Sequence, residues 1–176
     1  TKSHSGPDIM LDSDHRQFTL NAMCDIIFMK ADSRSATIIE EIEKNVFCKP
    51  WNLKNIEESI ANRLNYSEIA VIDGESAGCI IYSKNSFEAE LLRIGVKEKF
   101  RNKGLAGALL KRMFDTLSED GISEVFLEVN ENNQAVKFYN KNGFTEIARR
   151  KNYYGNENAI IMKATINTVN DENTKS

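Results

Sequence analysis

The stretch Arg101-Asn-Lys-Gly-Leu-Ala-Gly107 combines two cations with two glycines where an apolar run, Leu92-Arg-Ile-Gly-Val96, gives way to a helical pattern. Helix N-termini carry unpaired N–H groups and the positive end of the helix dipole, and glycine lets backbone approach an anion with no Cβ in the way. The chemistry on offer is a diphosphate cradle of main-chain amides around Gly104 to Gly107, with charge added by Arg101 and Lys103. It is neither a Walker loop nor G-x-G-x-x-G. The same residues read equally well as a glycine-lightened helix start with solvated basic side chains. Further along, Leu127-Glu-Val-Asn130 is followed by Asn132-x-x-Ala135-x-x-Phe138-Tyr139 and then Asn142-Gly-Phe144. Glu128 offers a carboxylate and Tyr139 a phenol. By alternation alone, Glu128 reads more readily as a solvated strand residue than as a base. The only histidines, His4 and His15, precede every periodic segment. Acid–base chemistry therefore falls to Glu, Asp, Tyr, Lys, Cys or water, and neither a His metal ligand nor a Ser-His-Asp triad is available.

The elements that must position these groups alternate along the chain. Residues 25–30 predict a strand. Asp32 or Ser33 caps a helix with an apolar stripe of Ile38, Ile39, Ile42 and Val46. Pro50 breaks it, and Asn52 caps a second helix carrying Leu53, Ile56, Ile60 and Leu64 on one face. Strands at 68–73 and 77–83 flank the hairpin signal Asp73-Gly74, and 88–96 is a third strand. A helix from about Gly104 to Asp120 stops at Gly121, and 123–130 alternates as a strand with Val125, Leu127 and Val129 on one face. A short helix at about 132–141 leads to two last strands, 144–149 and 159–164, joined across Tyr153-Tyr154-Gly155-Asn156. The fold class is α+β: one domain around a central, mostly antiparallel, twisted sheet of six to seven strands with four helices.

The length, 176 residues, suits one domain, placed at 17–166 between a polar leader at 1–16 and a polar tail at 167–176. The leader reads as flexible and partly a tag, with Met10 as native start. A net charge of −3 argues against nucleic-acid binding through global positive charge. Neither a membrane-length apolar run nor a secretory core is present. Cys24, Cys48 and Cys79 form neither a disulfide framework nor a metal knuckle, so a reducing cytoplasm fits and no metal is expected. Gly74-Glu-Ser-Ala-Gly78 matches G-x-S-x-G, but a strand follows it and no histidine lies downstream, so it is a hairpin coincidence. Cys79 reads as a small core residue.

Taken together, Arg101-x-x-Gly104-x-Ala106 and Asn132-x-x-Ala135-x-x-Phe138-Tyr139-x-x-x-Gly143-Phe144 resemble the GNAT superfamily of N-acetyltransferases, over roughly residues 25–164. Lys49-Pro-Trp51, Leu127-Glu-Val129, Arg150-Lys-Asn-Tyr-Tyr154 and Asn158-Ala-Ile-Ile-Met162 look most like the RimI-type ribosomal-protein alanine N-acetyltransferases. The resemblance implies acetyl-coenzyme A as co-substrate, contacted by Ile94, Gly95, Val96, Arg101, Asn102, Lys103, Gly104, Leu105, Ala106, Gly107 and Asn132. It implies Glu128 as general base, Tyr139 as general acid, and acceptor contacts from Tyr153 and Tyr154, while Trp51 reads equally as a core plug or as an acceptor-binding wall of the groove. Glu88 and Glu90 are the alternative bases. The chain departs from the subfamily at Arg101, often Gln there, at Ala106, often Gly, and in a loop after Glu128 one residue shorter.

The implied partner is a protein or peptide N-terminus, above all an N-terminal alanine of a small-subunit ribosomal protein. A small amine or lysine acceptor, or a non-catalytic acetyl-coenzyme A-binding module, are the alternatives. Acid strengths separate the acceptors. At pH 7, freeing an α-amine (pKa about 7.7–8.0) of its proton costs about 1 kcal/mol, and freeing lysine (about 10.4) costs about 4–5. A carboxylate such as Glu128 suffices for the α-amine.

Overall fold

The computed structural model describes residues 9–11, 17–19 and 26–168, with the side chain of Tyr154 outside the description. Most of the leader and tail named above lies outside these residues. Ile9–Leu11 (β1) and Gln17–Thr19 (β2) pair antiparallel as a small separate sheet. The main sheet begins with β3 (Ile26–Lys30). Asp32 then starts a short 3-10 turn through a reciprocal capping box with Ser35. The turn leads into α1 (Ala36–Val46), which buries Ala36, Ile39, Ile42 and also Glu43. Asn52 starts α2 (Leu53–Ala61) by accepting the Asn55 N–H at 2.9 Å, as expected from its type. Leu64 does not continue that helix. It lies past the helix end and is 55% exposed, because the chain turns at Asn62 to enter the next strand.

β4 (Asn65–Ile72) and β5 (Glu75–Lys84) form a hairpin. Asp73 and Gly74 both have positive φ, 49° and 80°, the geometry of a two-residue primed turn that follows strand twist. β6 (Glu88–Val96) pairs back on β5. α3 (Leu105–Glu119) then crosses over so that β7 (Glu124–Asn130) runs parallel to β6. The short α4 (Ala135–Lys141) precedes β8 (Thr145–Tyr154) and β9 (Glu157–Thr165). The sheet order is β3-β4-β5-β6-β7-β9-β8, with β6–β7 the only parallel pair in the seven-stranded sheet. The last hairpin is longer than its alternation suggested. A register shift at Asn152, whose φ is 54°, lets β8 continue through Tyr153 and Tyr154.

Each face of the sheet is covered. Leu105, Leu109, Leu110, Met113 and Leu117 of α3 pack on Ile80, Leu91, Val125, Leu127, Val129, Ile160 and Met162. Ile39, Ile42 and Ile56 of α1 and α2 pack on Ile69, Cys79 and Ile81. Burying each such aliphatic chain stabilises the fold by about 1.5–3 kcal/mol. The contact between α1 and β6 is closest at Gly95. A Cβ there would lie 2.7 Å from Val46 Cγ1 and 3.0 Å from Phe47 Cζ. Gly95→Ala is accordingly expected to destabilise the fold by about 1–3 kcal/mol through overpacking, read as a fall in urea midpoint with unchanged m-value.

Candidate active site

β6 and β7 part company early. Their ladder comprises Glu88, Ala89 and Glu90 against Glu124, Val125 and Phe126, and no pairing follows. β6 remains paired to β5 along its other edge, and β7 to β9. The facing edges of Leu91–Val96 and Leu127–Asn130 therefore have no ladder partner, a state that buried backbone tolerates only where something else can bond to it. A bulge contributes to the divergence. Ile81 is opposite Arg93 and Tyr82 opposite Leu91, so Leu92 is an extra residue in β6. Its consequence is that Leu92 and Arg93 both face α1 and α2.

At the C-terminal end of β6 the turn Arg101–Gly104 delivers the chain into α3. Gly104 is the N-cap, with φ 79°, and no side chain caps the helix. The amides of the first turn are thus left to bind something outside the helix. Asn102 also has positive φ, 60°. A Cβ on Gly107 would meet nothing within 4 Å. Arg101 is partly committed: its Nε donates to the Val96 carbonyl at 2.9 Å, tying the turn to the strand end. Lys103 is exposed, and the Leu105 side chain is buried in the core. Asn132 is exposed in the turn before α4. Its N–H donates to Asn130 Oδ1 at 2.8 Å and its Nδ2 to Glu157 Oε1 at 3.1 Å. The loop after Glu128 is thereby braced by β9.

On the α1/α2 face, just below the parting, lies a cavity of about 410 Å³ lined by Glu88, Glu90, Phe126, Glu128, Arg150, Leu64 and neighbours. Its size falls within the range of small-ligand sites, about 300–1,000 Å³. Glu128 is 22% exposed and pairs with Arg150 Nη1 at 3.1 Å. The expected base and both alternative carboxylates, Glu88 and Glu90, thus share one cavity. Trp51 and Tyr153 do not line it. Trp51 is half-buried against the core under α1 and α2. Tyr153 is exposed on β8, its ring 5.5 Å from the Arg150 guanidinium.

Tyr139 projects from α4, in edge-to-face contact with Phe138 and Phe144 at 5.5 and 5.8 Å between ring centres. Burial pushes its phenol up to about 12, partly offset by the positive charge of Arg93. The hydroxyl makes no hydrogen bond among the described residues. Tyr139 packs against the core cluster on the α3 face of the sheet, opposite the face that carries the Glu128 cavity.

Three contributors escaped the sequence: Glu43, Arg93 and Arg150. Arg150 reaches Glu128 only because β8 and β7 both pair with β9. Glu43 had a visible signal, a carboxylate inside the stripe Ile39, Ile42, Val46. Among the described residues no His, Cys, Asp and Glu group could hold a metal ion, and no helix is long and apolar enough to cross a membrane.

The left-handed turn at Gly104 and the open helix start can be separated by substitution. Gly104→Ala should cost about 1–2 kcal/mol of stability and weaken coenzyme A binding about tenfold. Gly107→Ala, in open helical geometry, should instead raise stability by about 0.5–1 kcal/mol. Thermal denaturation and calorimetric titration with coenzyme A check both.

Comparison with known proteins agrees with this architecture. A model of the acetyltransferase (GNAT) family matches residues 36–144. The [ribosomal protein bS18]-alanine N-acetyltransferase of Haemophilus influenzae is 32% identical over 128 residues, covering 69% of this chain and 86% of that protein. The enzyme of the same name from Haemophilus ducreyi is 41% identical over 131 residues, covering 69% and 88%. The crystal structure of the ribosomal-protein-S18-alanine N-acetyltransferase from Escherichia coli superposes with a TM-score of 0.76 at 27% identity, covering 82% of this chain and 96% of that one. The chain belongs to the GNAT family of acetyltransferases and is an acetyl-coenzyme A-dependent N-acetyltransferase.

Proposed function

We propose that the acceptor is the α-amine of a protein N-terminus, an N-terminal alanine of a small-subunit ribosomal protein, with Glu128 as general base and Tyr139 as general acid. The observation that carries this is the gap between β6 and β7, with the Glu128 cavity on one face of the sheet and Tyr139 packed on the other. The acceptor class is supported by relatives named for bS18-alanine acetylation, of whose length the chain covers 86–88%. Such an acceptor would place the enzyme in the cytoplasm.

The residues present suit acetyl-coenzyme A. The uncapped first turn of α3, entered through left-handed Gly104, would hold the diphosphate, helped by Lys103 and the remaining N–H groups of Arg101. When bound, the co-substrate supplies an acetyl group activated as a thioester. Unpaired N–H groups along Ile94 to Val96 would polarise its carbonyl. Glu128, directly or through water, would accept the proton that the ammonium must lose before it can attack. Tyr139 would donate to the sulfur. A phenol near 12 is fully protonated at neutral pH. Complete transfer to a thiolate of cysteine-like pKa, about 8.5, is uphill by about 5 kcal/mol at about 1.36 kcal/mol per unit. The phenol therefore acts first as a hydrogen-bond donor to the charge developing on sulfur.

The test offers acetyl-coenzyme A with a peptide bearing a free N-terminal alanine, the same peptide blocked, and a panel of small amines. Turnover of the free peptide alone is expected; small-amine turnover alone would replace the acceptor. Glu128→Gln and Tyr139→Phe should each lower kcat by about 10²-fold or more, the usual scale for acid–base groups. Glu90→Gln, in the same cavity, should leave the rate within about threefold of wild type on that scale; a loss as large as that of Glu128→Gln would move the base to Glu90. The rate should rise with pH as the α-amine loses its proton near pH 8 and show no loss from phenol ionisation below about pH 10.

A further inference from the structure

The carboxylate of Glu43 is wholly buried on α1, where it pairs with Arg93. It receives Arg93 in a fork: Nε donates to Oε1 at 2.9 Å and Nη2 to Oε2. Oε2 also accepts the backbone N–H of Trp51 at 2.8 Å. Arg93 in turn lies 3.9 Å from the ring centre of Phe47 and 5.2 Å from that of Trp51, and Nη2 reaches the Lys49 carbonyl at 3.3 Å. Both ends of the segment 47–51 are therefore fastened to one guanidinium–carboxylate unit, and the same segment presses on Gly95 with no room for a Cβ. Arg93 can serve only because the Leu92 bulge turns it toward α1 at the place where β6 leaves β7.

We infer that the Glu43–Arg93 pair is a positioning device that sets how deeply the Phe47–Trp51 loop sits over β6 at Gly95, and hence how an acceptor approaches the unpaired edge of β6, outside the Glu128 cavity itself. Its action on the acceptor rests on the peptide reading above; the seating of the loop does not. A pair that merely stabilised the fold could be exchanged for apolar side chains, since buried ion pairs are commonly replaced at little cost in stability. The loop contacts cannot be exchanged that way, because leucine accepts no hydrogen bond from Trp51 and methionine donates none to Lys49.

Glu43→Leu/Arg93→Met is the test, with Trp51, the sole tryptophan, as reporter of the loop. The double variant should melt near the wild type and bind acetyl-coenzyme A within about threefold of it, while KM for the free-alanine peptide rises about tenfold or more and kcat changes less. Its Trp51 emission should shift to the red and become more accessible to acrylamide. Arg93→Lys, which keeps the charge but loses the fork and the stacked plane, serves if the double variant does not fold; the same direction of change is expected. Wild-type quenching and wild-type peptide KM in either folded variant would overturn the inference. Increased quenching in the variants, with no peptide turnover by the wild type, would support the loop anchor and remove the acceptor assignment instead.

Discussion

The architecture is organised around an interruption of backbone hydrogen bonding. Sheets are stable because almost every buried N–H and C=O is paired. Here two adjacent parallel strands pair over residues 88–90 and 124–126 and then separate inside the domain. The separation is sustained from both sides: β6 keeps its full ladder to β5 and β7 its full ladder to β9. The two unpaired edges create a slot that reaches the centre of the sheet. Around it the fold gathers a helix start without a side-chain cap, a carboxylate cavity and a buried phenol.

The polar groups near the slot are held by two different means. Glu128 and Arg150 meet at the cavity wall, partly in water, where an ion pair contributes at most about 1 kcal/mol. Glu43 and Arg93 meet out of water, where an unpaired charge would cost several kilocalories and a paired one costs little. The first arrangement leaves a carboxylate free to change partners, as the base proposed above would have to. The second cannot change partners without exposing a buried charge, which suits a group that holds a loop. Lys97 is intermediate: its own side chain is buried and bonded to Ser76 and to the largely exposed Glu41, fixing α1 to the ends of β5 and β6.

Tyr139 shows how the same burial can help and limit. Desolvation among Phe138, Phe144 and the α3 core keeps the phenol protonated across the neutral range, as the donor proposed above requires. It also makes the proton harder to give up. The positive charge of Arg93 acts in the opposite sense.

Local interactions made much of this legible in the sequence. The primed turn at Asp73-Gly74, the Asn52 cap, the stop at Gly121 and the alternation of Val125, Leu127 and Val129 each depend on neighbours a few residues apart. Gly104 and its cations likewise mark a helix start, and the spacing of Glu128 and Tyr139 carries the family resemblance. What chain order could not supply were encounters between distant segments. Glu43 finds Arg93 across 50 positions, Glu128 finds Arg150 through a shared neighbouring strand, and Leu64 leaves its helix to line the groove. The parting of β6 from β7 is of the same kind. Side-chain periodicity tells which face of a strand is buried, but which edge of a strand is paired is decided only when the whole sheet is assembled.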